Sequence, residues 1–207
     1  MKRLAILGAS GHGKVIADTA VLLGWSVVFF DDSWPDLKVN SHWPVIGATN
    51  DLMHELANFD GVIVAIGDNS TRLNKSKQLL STNEKLISLM HPSATVSQYA
   101  SIGDGSFVGA GAVLQVDCKV GLACIVNTNA VVEHDCSISD GVHVSPSASL
   151  AGGVSVGSES WIGISACVRQ LVKIGNNVIV GAGSVVIGDI SNQLTVVGSP
   201  AKPIVIK

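Results

Sequence analysis

From Val96 to Val186 every sixth residue is aliphatic, sixteen positions in strict phase. Four residues after each aliphatic comes a residue that is usually small, as at Ala100, Ser106, Ala112, Cys118, Cys124 and Ala130. A fixed short period of this kind predicts a solenoid, because one rung can bury its apolar residue only by stacking on its neighbours. Three six-residue rungs closing one triangular coil give five coils, a prism about 24 Å long at roughly 4.8 Å per strand. The aliphatic is expected to point inward, the small residue to let the chain turn a tight corner beside it, and the remaining side chains to face out. No long loop interrupts the phase. Between Gly141 and Ser158 there is no Lys, Arg, Asp or Glu, so the sequence predicts an uncharged outer face suited to an oligomer contact.

The first 90 residues follow another pattern. The apolar run Leu4–Leu7 ends in Gly8-Ala9-Ser10-Gly11-His12-Gly13-Lys14, and a helical stretch follows from Lys14 to Leu23. Ser26–Phe30 then reads as a strand ending in Asp31-Asp32, with a helix near Asn50–Ala57, an apolar strand at Val62–Ile66, a helix near Thr71–Leu80 and a last strand at Leu86–Leu89. Strands alternating with helices predict a small parallel sheet of Rossmann-like type. Domains are expected at 1–90 and 91–207, with His91-Pro92 at the junction.

Candidate chemistry in this half centres on the glycine turn, where free backbone N–H groups and the helix dipole favour phosphate. Gly8 to Lys14 fits the phosphate-loop spacing, but Val15 stands where a magnesium-binding hydroxyl would be needed, which argues against nucleotide hydrolysis. Asp31 lies 20 residues after Gly11, where an acid can bind ribose hydroxyls. The glycine spacing differs from the dinucleotide fingerprint, and 90 residues offer only half such a fold. A nucleoside diphosphate fits better than a nicotinamide cofactor.

Composition narrows the rest. A net charge of −3 and a pI near 6.0 argue against a nucleic-acid surface. Without a basic-then-apolar leader or a span of about 20 apolar residues, no membrane insertion is expected and the cytoplasm is the expected location. Cys118, Cys124 and Cys136 fall on the small-residue positions of the repeat, so they read as reduced core residues and no metal site is expected.

Within the repeat, Asn127-Thr128-Asn129-Ala130-Val131-Val132-Glu133-His134-Asp135-Cys136 places an imidazole at an outward corner between two acids. Such a group suits removal of a proton from an attacking amine or hydroxyl. Asp135 is the expected orienter, though neighbours on a strand point to opposite faces and only a corner would let them meet. His143 lies nine residues on, half a coil away.

The chain resembles the bacterial PglD/NeuD-type sugar acetyltransferases of the hexapeptide-repeat superfamily. The resemblance rests on Gly8-Ala9-Ser10-Gly11-His12-Gly13, Asp31-Asp32, Ala65-Ile66-Gly67-Asp68-Asn69, Val132-Glu133-His134-Asp135-Cys136, His143-Val144-Ser145 and Val197-Gly198-Ser199-Pro200-Ala201-Lys202. It implies an N-terminal Rossmann-like domain joined to a left-handed parallel β-helix, acting as a homotrimer with sites between subunits. It implies His134 as general base tuned by Asp135, and His143, Gly163, Ile164, Gly181 and Ala182 at acetyl-CoA. Ser10, Gly11, His12, Asp31, Asp32 and Gly67 are implied to hold a nucleotide sugar. The expected reaction is acetyl transfer to the 4-amino group of a UDP- or dTDP-linked 4-amino-4,6-dideoxy sugar. O-acetylation of sialic acid or a related sugar is the alternative, and a non-catalytic nucleotide-binding role a third reading.

Overall fold

The computed structural model describes residues 1–82 and 86–204. Its N-terminal part contains β1 (Lys2–Leu7), α1 (Gly11–Leu22), β2 (Trp25–Phe30), β3 (Val39–Asn40), β4 (Trp43–Gly47), α2 (Thr49–Glu55), β5 (Gly61–Val64) and α3 (Asn69–Ser81). The strands form one sheet in the order β3-β4-β2-β1-β5. All pairs are parallel except the short β3–β4 hairpin. β5, at the end of that order, is buried along its whole length. α1 starts at Gly11, earlier than the apolar pattern suggested. A Cβ on Gly13 would overlap the Gly8 carbonyl oxygen, so this glycine pair lets the helix begin directly over the end of β1.

The predicted strand at Leu86–Leu89 is not formed as one element. Leu86 makes a single bridge to Val62, whereas Leu89–Met90 pairs with Phe107–Val108 in the prism. The segment is divided because its first residue completes one sheet and its last starts another.

The prism has three faces of two-residue strands, each strand paired in parallel with the one 18 residues later, as in Thr95↔Val113 and Val113↔Val131. The first face begins at Thr95–Val96, the second at Ser101–Ile102, and the third contains Leu89–Met90 and Phe107–Val108. Inward aliphatics such as Val108, Val126, Val144, Ile162 and Val180 are completely buried and form one continuous core. Each contributes roughly 1.5–3 kcal/mol of burial. Thr195–Val197 and Lys202–Ile204 close the far end of the third face as an antiparallel pair.

The small residues stand beside the corners, as expected. The small residue does not make the turn; it points into the core, where Ala112, Cys118, Ala130 and Ala148 have no exposed surface. The turn is made by the residue before it, which has φ between 53° and 69° at every sixth position from Gly105 to Gly183. At four of the polar small residues the side chain donates to the carbonyl 15 residues on: Ser106 Oγ to Gly121 (2.8 Å), Cys124 Sγ to Ser139 (3.1 Å), Cys136 Sγ to Ala151 (3.2 Å) and Ser160 Oγ to Gly175 (2.7 Å). Serine and cysteine thus satisfy a backbone group that alanine leaves to other partners. Burial pushes the Cys118 thiol up to about 11 and Cys124 to about 12, which makes them inert core residues. Among the described residues no helix is long and apolar enough to cross a membrane.

Candidate active site

Each prism corner carries a different feature. His134 and Asp135 lie on the corner between the first and second faces. The αL conformation of Asp135 (φ 60°) swings its carboxylate back toward its neighbour, and His134 Nδ1 sits 2.7 Å from Asp135 Oδ2. A carboxylate only accepts, so Nδ1 carries the proton and Nε2 is left as the basic nitrogen. The side chains are 58% and 65% exposed. The Asp135 hydrogen bond, reinforced by the charges of Asp135 and Glu133, holds the imidazole above its ordinary value. Below the ring lies Gly152, one coil on; a Cβ there would come 2.5 Å from the imidazole. Glycine at this position therefore leaves the ring its place.

The corner between the third and first faces carries a groove of about 480 Å³, lined by His143, Trp161, Gly163, Ile164, Gly181 and Ala182 among others. All five residues expected at acetyl-CoA meet there. His143 is buried, its ring 4.8 Å from that of Trp161. Trp161 Nε1 donates to Ser145 Oγ at 2.6 Å, which fixes the indole. Asn127 Oδ1 accepts from Thr128 N–H, so its Nδ2 faces His143 Nε2 at 3.0 Å and donates to it. The His143 proton is then on Nδ1, which is enclosed without a partner among the described residues. Burial, then the Arg72 charge, press the His143 imidazole down to about 3, so it is neutral.

The nucleotide set is brought together only in part. A pocket of about 190 Å³ is lined by Leu7, Gly8, Asp31, Asp32, Thr49 and Ile66. Ser10 and Gly11 stand exposed at the N-terminus of α1, whose cap makes no side-chain hydrogen bond and whose first turn has no acid. Gly67 borders the pocket through Ile66. The acids also brace loops: Asp31 accepts from Ala9 N–H (2.7 Å) and Ser33 N–H (2.9 Å), and Asp32 from Thr49 N–H (2.9 Å). Those bonds keep both carboxyls below the usual range, against some desolvation. His12 stands apart from this pocket. Its ring packs edge-on against Phe107 of the prism, 5.5 Å between centroids, and burial lowers it to about 4.

Gly152, Trp161 and Arg72 were not singled out from the sequence. Their importance lies in contacts 16 or more residues away, and none stands in a local pattern that marks it. Among the described residues no group of three or more His, Cys, Asp or Glu is placed to hold a metal.

Comparison with known proteins bears on this arrangement. Residues 3–79 match the family model described as the PglD N-terminal domain. A curated UDP-N-acetylbacillosamine N-acetyltransferase of Bacillus subtilis (strain 168) is 39% identical over 120 residues, 53% of this chain. That match spans about half of the relative's length, 52%. The acetyltransferase domain of PglB from Neisseria gonorrhoeae FA1090 is 43% identical with a TM-score of 0.94, covering 99% of this chain and 100% of that one. The same domain has been solved in complex with acetyl coenzyme A. PerB from Caulobacter crescentus, in complex with CoA and GDP-perosamine, is 35% identical with a TM-score of 0.93, covering 99% and 98%. The architecture is thus a Rossmann-like domain followed by a left-handed parallel β-helix, and the chain belongs to the PglD-type family of acetyl-CoA-dependent sugar N-acetyltransferases.

Proposed function

We propose that this chain transfers acetyl directly from acetyl-CoA to the 4-amino group of a UDP- or dTDP-linked 4-amino-4,6-dideoxy sugar, with His134 as general base. The observation that carries the reading is the exposed His134–Asp135 pair, with Nε2 left as its free basic nitrogen. The amine nitrogen attacks the thioester carbonyl while His134 Nε2 takes its proton. The tetrahedral intermediate then expels the CoA thiolate, which receives that proton. No enzyme nucleophile is needed. Holding both substrates in line supplies much of the acceleration.

In this reading the nucleotide sugar sits in residues 1–90, at the pocket beside Asp31 and Asp32, with the diphosphate over Ser10 and Gly11 at the start of α1. Acetyl-CoA lies along the groove of residues 91–207, against Gly163, Ile164, Gly181 and Ala182, with His143 as part of its wall. His134 and the groove belong to different corners of one prism, so they meet only between prisms. We therefore assign a homotrimer, in which the His134 corner of one subunit faces the groove of the next. The exposed apolar side chains Val116 and Leu171, beside the His134 corner, support a covered surface there.

The test is CoA thiol release with UDP-, dTDP- and GDP-linked 4-amino-4,6-dideoxy sugars, beside hydroxyl-only sugars and sialic acid. Release is expected with a UDP- or dTDP-linked amino sugar. Release only with the GDP-linked sugar would correct the nucleotide, and release only with a hydroxyl acceptor would overturn N-acetylation.

A further inference from the structure

Among the described residues Arg72, on α3, is the largest fully buried side chain, and no step above uses it. All three of its guanidinium nitrogens donate. Nε reaches the Ala123 carbonyl (2.8 Å), Nη1 the Ile66 (3.0 Å) and Gly67 (3.1 Å) carbonyls, and Nη2 the Gly141 carbonyl (2.8 Å) and Asn69 Oδ1 (2.8 Å). Among the described residues the only ion pair is His134–Asp135, so this buried cation is held by carbonyl and amide oxygens. It remains protonated at neutral pH, although burial lowers it to about 10.

The acceptors fall into two sets. Ile66 and Gly67 form the loop after β5, and Ile66 lines the pocket that holds Asp31 and Asp32. Ala123 and Gly141 are equivalent corner residues on successive coils, between the second and third faces. Asn69, gripped by the guanidinium through Oδ1, carries the contact one coil further: its Nδ2 donates to the Glu159 (3.0 Å) and Ser160 (3.1 Å) carbonyls. Two residues beyond Gly141, His143 opens the groove wall. One planar fork thus grips the edge of the proposed acceptor pocket and the coils that carry the donor groove. A guanidinium suits this because its donors are fixed in direction, so it sets a distance as well as an attraction.

We propose that Arg72 is a positioning residue for the transfer: it holds the nucleotide-sugar pocket and the acetyl-CoA groove at the spacing the reaction needs. This rests on the assignment of the two ligands to those two sites. Arg72→Met and Arg72→Lys in the full chain test it, with UDP, dTDP and acetyl-CoA binding measured separately by calorimetry. Each variant should fold and bind each ligand alone within about threefold of the parent. Turnover should nevertheless fall about 100-fold for Met and about tenfold for Lys, the scale of a small misalignment of two reactants. Acetyl-CoA KM should hardly change. Normal turnover in a folded variant, or ligand affinities that fall as far as turnover, would overturn the role. If neither variant folds, Asn69→Ala decides, with a several-fold loss of turnover expected and an unchanged rate overturning the proposal. A parent chain that binds acetyl-CoA but neither nucleotide overturns the ligand assignment itself, and is recognised by failing before any substitution is made.

Discussion

His134 and His143 stand nine residues apart in the same repeat, and the prism gives them opposite environments. His134 falls on a corner, exposed, paired with a carboxylate and raised above its ordinary pKa. His143 falls on the outward position of a strand, buried against Trp161 and Asn127 and lowered to about 3. The residue type is the same, so position around the coil separates an exposed, carboxylate-paired imidazole from a buried, neutral one. The third face shows the same lesson as a gradient. Its outward column runs Phe107, Ile125, His143, Trp161, Ile179, with exposures of 1%, 1%, 8%, 39% and 46%. The N-terminal sheet and helices cover the first two, and the groove takes the last three.

The contrast breaks most sharply by truncation. His134→Ala should lower kcat roughly 10²–10⁴-fold with the fold intact. His143→Ala should instead raise acetyl-CoA KM by roughly tenfold, the factor for about 1.4 kcal/mol of lost binding, with a smaller change in kcat. Steady-state kinetics of both variants compare the two directly, and equal effects on kcat would erase the distinction.

Gly152→Ala tests whether the exposed base needs its exact seat. A methyl group 2.5 Å from the imidazole must displace it, and a shift of that size should cost about 10- to 100-fold in kcat. Acetyl-CoA affinity should be unaffected, since Gly152 does not line the groove. Titration calorimetry beside the rate measurement checks both halves.

Acid stability carries the contrast into the folding equilibrium, with the reverse sign from a paired histidine. His12 and His143 are neutral in the fold down to about 4 and about 3, whereas in the unfolded chain they take a proton near 6.5. The unfolded state binds more protons between those values, so stability should fall as pH drops below about 6.5, by up to about 1.4 kcal/mol per pH unit for each histidine. Urea unfolding at a series of pH values measures the slope, and His143→Phe should flatten it.

Much of this was legible from residue order. The six-residue period led to the three-faced prism, and Glu133-His134-Asp135 pointed to an imidazole that meets a carboxylate at a corner. The αL corners were harder to see, because that position holds Asp117, Ala123, Ser147, Glu159 and Leu171 as readily as glycine. The tight 18-residue stacking imposes the conformation on whatever residue stands there. Arg72 gave no signal either: a lone arginine on a polar helix reads as a solvated charge until its acceptors, 51 and 69 residues away, are known.

By itself, then, the sequence determined which residues point into the prism and that strands alternate with helices in the first 90 residues, since both follow from periodicity over a few neighbours. Tertiary structure alone decided which outward residues are covered, which line a groove, and which histidine can titrate. Burial and electrostatics sum over atoms brought in from distant coils and from the other half of the chain, and no local pattern contains that sum.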